Sequence, residues 1–339
     1  MGHSSHLGLE TEKSQYFTLV SMALSAEHLL ALSLLKGVGV KTVLKFAFQV
    51  PEPVSTIEEL CQSWQGFSGK GKRLESISRD DILAAGRMAR DLIDRSEAAS
   101  IGLVGYFDDA FPDRLRHAIG EEGKPEPPLF LWYRGDLAIA HLPGVAVIGT
   151  REALPEGMAG GCYLSGELAR RGFNIISGLA LGCDTSGHTG ALKAGGKTCA
   201  FLANGLDNAS IYPPENRALA EEIAAKGGLL LSEYPLGQTV NRYALVARDR
   251  LQAALAEATI VVHTGIKGGT MHAANTTLKA GKPLFVMRFK GEATNLHEKC
   301  LGNALLVEKG ARYISGGDDL DKVAEEIRNR KPQGKGLFD

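Results

Sequence analysis

Ile176-Ser177-Gly178-Leu179-Ala180-Leu181-Gly182-Cys183-Asp184-Thr185-Ser186-Gly187-His188 is the stretch on which the fold turns. It follows directly on the apolar run at 173–176, so it reads as strand, small-residue turn and helix start. Ser177, Gly178 and Gly182 let backbone amides come close to a ligand, and Asp184 and Thr185 are suited to cap the helix that follows. An α/β sheet builds a phosphate site in this way. Such a turn reports a nucleotide or nucleic-acid surface more strongly than it reports a reaction.

Working outward, apolar strand segments at 145–148, 174–176, 198–203, 229–231, 259–262 and 284–287 alternate with helical segments. The helices are expected over 156–171, 185–194, 215–226, 247–257 and 271–280, with a last one at 317–330. Strands flanked on both sides by helices imply a parallel sheet buried on both faces. The fold class is therefore α/β, a Rossmann-like doubly wound parallel sheet with ligand turns along the carboxyl ends of its strands.

Ahead of this lies a small all-α region. Leu29, Leu30, Leu32, Leu34 and Leu35 run into Gly37-Val38-Gly39, and a second helix spans 41–48. Lys36 and Lys41 flank the turn, so Lys36, Gly37, Gly39 and Lys41 form a candidate helix-hairpin-helix contact to a DNA phosphate. A glycine-closed helical hairpin that only packs accounts for the same residues. A further amphipathic helix is expected over 80–95, its Arg87, Arg90 and Arg95 on a solvated face. These elements divide the chain into a tail at 1–15, a helical amino-terminal domain at 16–95, a Rossmann-like domain at 100–330 and a tail at 331–339.

Composition narrows the function classes. With 44% hydrophobic and 23% charged residues, the chain is rich enough in apolar side chains to bury a core. A net charge of -1 gives no global attraction to polyanions, so any such ligand must meet a local basic patch. The five cysteines, Cys61, Cys162, Cys183, Cys199 and Cys300, lack CxxC spacing and read as reduced thiols of a cytoplasmic protein. The sequence has neither a membrane-length apolar run nor a signal peptide.

The turns after successive strands supply the candidate site. They carry Gly149-Thr150-Arg151, then Ser177-Gly178, then Asn204-Gly205 with Tyr212 and Asn216, then Ser232-Glu233, and finally Lys267-Gly268-Gly269-Thr270. Amides, the Arg151 guanidinium and the Lys267 ammonium on one edge suit phosphate. Arg248 and Arg250 flank Asp249 at a helix start; they either face the cleft or form a salt-bridged helix opening. The first turn lacks G-x-G-x-x-G, and no P-loop or G-x-S-x-G elbow occurs. Cys183 with His188, and His263 with His272, lack the spacing or partners of a catalytic pair or metal site, and Glu233 reads as a hydrogen-bonding residue. No catalytic residue, metal or cofactor is assigned.

Taken together, these turns resemble the DNA-processing protein A family (DprA, also called Smf) over roughly 101–314. Tyr106-Phe107-Asp108-Asp109-Ala110-Phe111-Pro112 resembles the family's entry segment, and Val147-Ile148-Gly149-Thr150-Arg151 its V-G-[ST]-R. Ser177 to Asp184 with His188 is similar to S-G-x-A-x-G-[IV]-D…H. Tyr212-Pro213 with Asn216, Leu231-Ser232-Glu233-Tyr234-Pro235 and Gly302-Asn303-Ala304-Leu305-Leu306 also fit.

The resemblance implies single-stranded DNA binding without an established reaction, dimerisation through the Rossmann domain, and loading of the recombinase RecA in transformation. By position it implies that Arg151, Arg248 and Arg250 hold the DNA backbone, with 267–270 as a second wall. Asp184, His188, Tyr212, Asn216, Ser232 and Glu233 would support the pocket.

Departures are present. The family's R-N-R is Arg248-Asp249-Arg250, its V-x-E-A is Val262-His263-Thr264, and its S-G-S-x-x-T-A begins Gly268-Gly269-Thr270. The tail after Arg330 is too short for the winged-helix domain of many relatives. A divergent member can serve phage defence, and the alternative is a nucleotide-binding sensor or nucleotide hydrolase of the related Rossmann-like group. The hydrolase branch uses P-G-G-x-G-T-x-x-E, and the segment 266–270 lacks its proline and downstream Glu.

Overall fold

Helix-capping side chains mark out the amino-terminal part of the chain. In the computed structural model, which describes residues 24–67 and 72–330, Ser25 caps α1 (Ala26–Leu34) and Thr56 caps α3 (Ile57–Gly66). Between them lies α2 (Val40–Ala47), and Ser78 caps α4 (Arg79–Ala98). Each of the three capping residues forms a reciprocal box with the residue three positions on, satisfying two otherwise orphan amides. The expected tails at 1–15 and 331–339 lie outside the described residues.

The chain divides into two compact units, one of residues 1–111 with Pro128–Leu131, the other of Pro112–Pro127 with Trp132–Asp339. In the first unit Phe46, Trp64 and Phe67 make an aromatic core, with ring centroids 5.0 to 5.6 Å apart. Arg90 pairs with Glu27 and Asp94, and Arg95 with Asp91, on an exposed surface where such pairs stabilise little. A short strand, β1 (Gly102–Gly105), was not legible in the sequence.

The second unit is organised by a sheet. Its strands are β2 (Phe130–Gly135, from Trp132 onward), β3 (Gly144–Ile148), β4 (Asn174–Ser177), β5 (Thr198–Leu202), β6 (Leu229–Ser232), β7 (Ala258–Val261), β8 (Leu284–Met287) and β9 (Arg312–Ile314). They lie in the order β2-β6-β5-β4-β3-β7-β8-β9. The helices between them are α5 (Pro155–Arg170), α6 (Cys183–Lys193), α7 (Arg217–Ala225), α8 (Arg242–Leu255), α9 (Gly269–Lys279), α10 (Leu301–Glu308) and α11 (Gly317–Asn329).

The sheet is not wholly parallel, which corrects the reading from sequence. β2 runs antiparallel to β6, with Trp132 opposite Ser232, while all the other pairs from β3 to β9 are parallel. β2 follows a proline-rich connection and has no crossover helix, so the strand–helix alternation that reveals the others is missing there.

Both faces of the sheet are covered. Val145, Val147, Ile175 and Ile260 join Leu164, Leu168, Val323 and Ile327 in one core. Ile148, Val261 and Val286 join Met271, Ala274 and Leu306 in another. Alternate residues of β3 thus enter different cores, as a strand buried on both sides requires.

α5 and α6 approach closely at Gly190, where an added Cβ would strike the Cys162 carbonyl group of α5. Helix backbone cannot give way cheaply there, so Gly190→Ala is expected to destabilise the protein by about 1–3 kcal/mol. A urea titration checks this, and an unchanged midpoint would refute the close packing.

Candidate functional site

The strand order reverses beside β3. From β3 the chain steps outward through β4, β5 and β6, then returns to place β7 on the other side of β3. Loops leaving β3 and β7 therefore diverge, and in open α/β sheets the crevice between such loops is where ligands bind.

A cleft of about 410 Å³ opens there. One wall is the turn Gly149-Thr150-Arg151-Glu152 after β3, and another is Lys267-Gly268-Gly269-Thr270 at the start of α9. The third is α8, with Arg242, Leu245, Val246, Arg248, Asp249 and Gln252. Arg151, Arg242 and Lys267 are exposed, and none is held in an ion pair among the described residues. Seven of the thirteen residues expected to bind phosphate directly come together in these two turns, and Arg248 makes an eighth.

Arg248 has a different role from the one the family pattern implied. It is buried, and its guanidinium donates to the Gly178 carbonyl at 2.6 Å, the Phe201 carbonyl at 2.9 Å and Asp249 Oδ1 at 3.1 Å. It clamps the ends of β4 and β5 to α8 and presents only part of its charge to the cleft. Burial pushes the Asp249 carboxyl up to about 6, against the pull of Arg248, with Asp184 adding like-charge repulsion.

The Ser177-Gly178 turn is also corrected. Its polar groups are spent within the protein. Ser177 Oγ donates to the Val147 carbonyl, and the Gly178 and Ala180 amides donate to Asp184 Oδ2. Asp184 thus closes the preceding turn instead of capping α6 with its side chain; the cap position is Gly182, at φ +76°. A side chain at Gly182 would be strained there and would strike the Thr150 and Arg151 carbonyls. The expected cap Thr185 donates to the Ala180 carbonyl, and Asn216 Nδ2 donates to the Leu179 carbonyl and to Thr185 Oγ1. Asp184 therefore lines the cleft with its oxygens committed to the turn, and Asn216 braces that turn from outside the lining.

Arg250 does not reach the cleft. Its guanidinium makes a two-pronged pair with Glu233 at 2.6 and 2.8 Å and donates to the Glu126 carbonyl. Glu233 accepts from Arg250 instead of from turn amides. Asn204 and Gly205 also lie apart from the cleft lining: the Asn204 carbonyl accepts from Ser232 Oγ, and the Gly205 amide donates to Gln238. Tyr212 stands half-exposed ahead of a cis Pro213.

His188 is fully buried, its Nδ1 2.7 Å from Thr198 Oγ1, and burial pushes it down to about 3, so it stays neutral and packs. His263 is a connector whose Nε2 accepts the Leu154 amide while Nδ1 meets the Lys299 carbonyl. Burial pushes the Cys183 thiol up to about 12. No group of three metal-binding side chains occurs among the described residues.

In the first unit Lys36, Gly37, Gly39 and Lys41 are all exposed around the turn between α1 and α2. Arg242, Leu245 and Val246 were missed because α8 starts earlier than its apolar pattern suggests; Gln252 lies within the expected helix but had no feature marking it as a cleft residue. Asn241 is its cap, accepting the Ala244 amide at 2.8 Å, so Asp249 lies well inside the helix and caps nothing. The Asn241-Arg242 pair was the available signal.

Comparison with known proteins gives the family. The family profile of DNA recombination-mediator protein A matches residues 102–326. The chain belongs to that family. It is 36% identical to Protein Smf of Synechocystis over 200 residues, covering 58% of this chain and 48% of that protein. It is 31% identical to the DNA processing protein DprA of Bacillus subtilis over 210 residues, covering 61% of this chain and 67% of the relative. The chain thus spans about half the length of the Smf relative.

The solved DprA of Helicobacter pylori, described for its single-stranded DNA binding mode, superposes with a TM-score of 0.56 at 32% identity, covering 67% of this chain and 96% of that one. DprA of Streptococcus pneumoniae superposes with a TM-score of 0.68 at 24% identity over 89% of this chain and 98% of that one, and shares the fold.

Proposed function

We propose that the cleft at the β3–β7 switch binds single-stranded DNA through its sugar-phosphate backbone and performs no chemical step on it. The observation that carries this reading is a set of cations, Arg151, Arg242 and Lys267, without ion pairs among the described residues, on the walls of one open cleft. Around them the chain as a whole has a net charge of only -1, so attraction for a polyanion is local. Glycines 268 and 269 leave the middle of the second wall bare of side chains, which lets a phosphate approach the backbone beside Lys267. The Helicobacter relative, described for binding single-stranded DNA, supports the same ligand for this chain.

In this reading the protein is cytoplasmic, protects single strands as a homodimer, and hands them to RecA in recombination or transformation, or serves phage defence. A nucleotide-sensing role is the second reading, favoured by the cleft volume of about 410 Å³, within the usual range for small-molecule sites.

Fluorescence anisotropy with oligothymidine, duplex DNA and competing mononucleotides separates the two. Three phosphate contacts predict a log–log salt slope of about -2 for a single strand. Binding that ignores salt, or that mononucleotides abolish at concentrations comparable to the strand's phosphates, would overturn the strand-binding reading.

A further inference from the structure

The cleft floor carries a charge of the wrong sign for a polyanion. Asp249 lines the cleft from the middle of α8, with a side chain only 14% exposed. Its Oδ1 is engaged by Arg248, while Oδ2 faces the turn that opens α9, 3.5 Å from where a Cβ on Gly269 would stand. A carboxylate oxygen therefore sits beside the backbone that a phosphate would use.

The charged groups around it come from every wall. Arg242 and Arg248 belong to α8, Asp184 to α6, Arg151 and Glu152 to the turn after β3, and Lys267 and His272 to the β7–α9 side. Two of these are already committed elsewhere: Glu152 pairs with Lys299 at 2.8 Å, and His272 with Glu121 at 2.6 Å. Among the described residues Asp249 forms an ion pair only with its chain neighbour Arg248, and part of it remains open to the cleft.

We propose that Asp249 is a specificity-determining residue that acts as an electrostatic brake, limiting how much phosphate charge the cleft accepts. This rests on reading the cleft as a strand-binding site. Ionised, the carboxylate cancels much of the Arg248 charge and repels a phosphate held at Gly268-Gly269. Neutral, it leaves the guanidinium uncompensated and can donate a hydrogen bond to a phosphate oxygen. The second state binds a polyanion more tightly. Since burial raises the carboxyl to about 6, the brake engages as pH rises through that value and is released below it. Bound phosphate favours the protonated form, so binding takes up a proton in that window.

The test measures oligothymidine affinity by anisotropy at constant ionic strength from about pH 5 to about pH 8, a span that brackets the Asp249 transition. The wild-type chain is expected to bind roughly tenfold more weakly at the alkaline end. Asp249→Asn keeps an acceptor for Arg248 and should bind tightly and evenly across the range. Asp249→Ser provides a second neutral variant should the asparagine protein not fold. A flat wild-type profile would overturn the brake. So would a wild-type profile that both Asp249 variants reproduce unchanged. Strand binding that is absent at every pH would instead overturn the reading of the cleft, and the brake with it.

Discussion

Arg248→Ala is expected to lower the stability of the protein by about 3–5 kcal/mol, the cost of leaving buried charges without their partner. The guanidinium offsets part of the desolvation that raises the Asp184 carboxyl. It also donates to the Gly178 and Phe201 carbonyls, 70 and 47 residues away in sequence, so its loss strands two backbone acceptors as well. Lysine should not restore it, because one ammonium cannot reproduce the fork that spans two carbonyls and a carboxylate. The double variant Arg248→Ala/Asp249→Asn should recover part of the loss by removing one stranded charge. Urea denaturation of the three variants provides the measurement. A single variant within about 1 kcal/mol of wild type would mean that the clamp contributes no more than an average hydrogen bond.

The largest effect on binding belongs to the opposite kind of cation. Arg151→Ala combined with Lys267→Ala should reduce oligothymidine affinity by about tenfold to a hundredfold at low salt. The log–log salt slope should become shallower by about 1.4, two phosphate contacts at the single-strand value. Both side chains are exposed and hold no ion pair among the described residues, so the melting temperature should hardly move. These two outcomes together would assign stability and binding to different cations on neighbouring walls. A loss below about threefold with an unchanged slope would place the strand elsewhere on the protein.

Much of the architecture was legible before any coordinates. Strands β3 to β8 begin and end within a residue of their apolar runs, and the amide-rich turns lie at their carboxyl ends as expected. The family resemblance read over 101–314 agrees with the matched span 102–326. Several elements escaped, the short strands β1 and β9 among them. β2 escaped because it stands outside the strand–helix repeat, and the start of α8 escaped because its first turns carry little apolar periodicity. The Ser177-Gly178 turn was recognised as rich in donors, but its donors already serve Asp184.

By itself, then, the sequence determined the α/β alternation, the turns that end each strand and the family, because these depend on residues close together in the chain. Only the tertiary structure decided which cations are free. Arg250 looked like a ligand contact until Glu233, 17 residues away, proved to hold it, and Arg248 until two distant carbonyls did. A guanidinium's charge is a property of the residue. Whether that charge is available depends on what the fold brings within about 3 Å of it, and no local pattern encodes that distance.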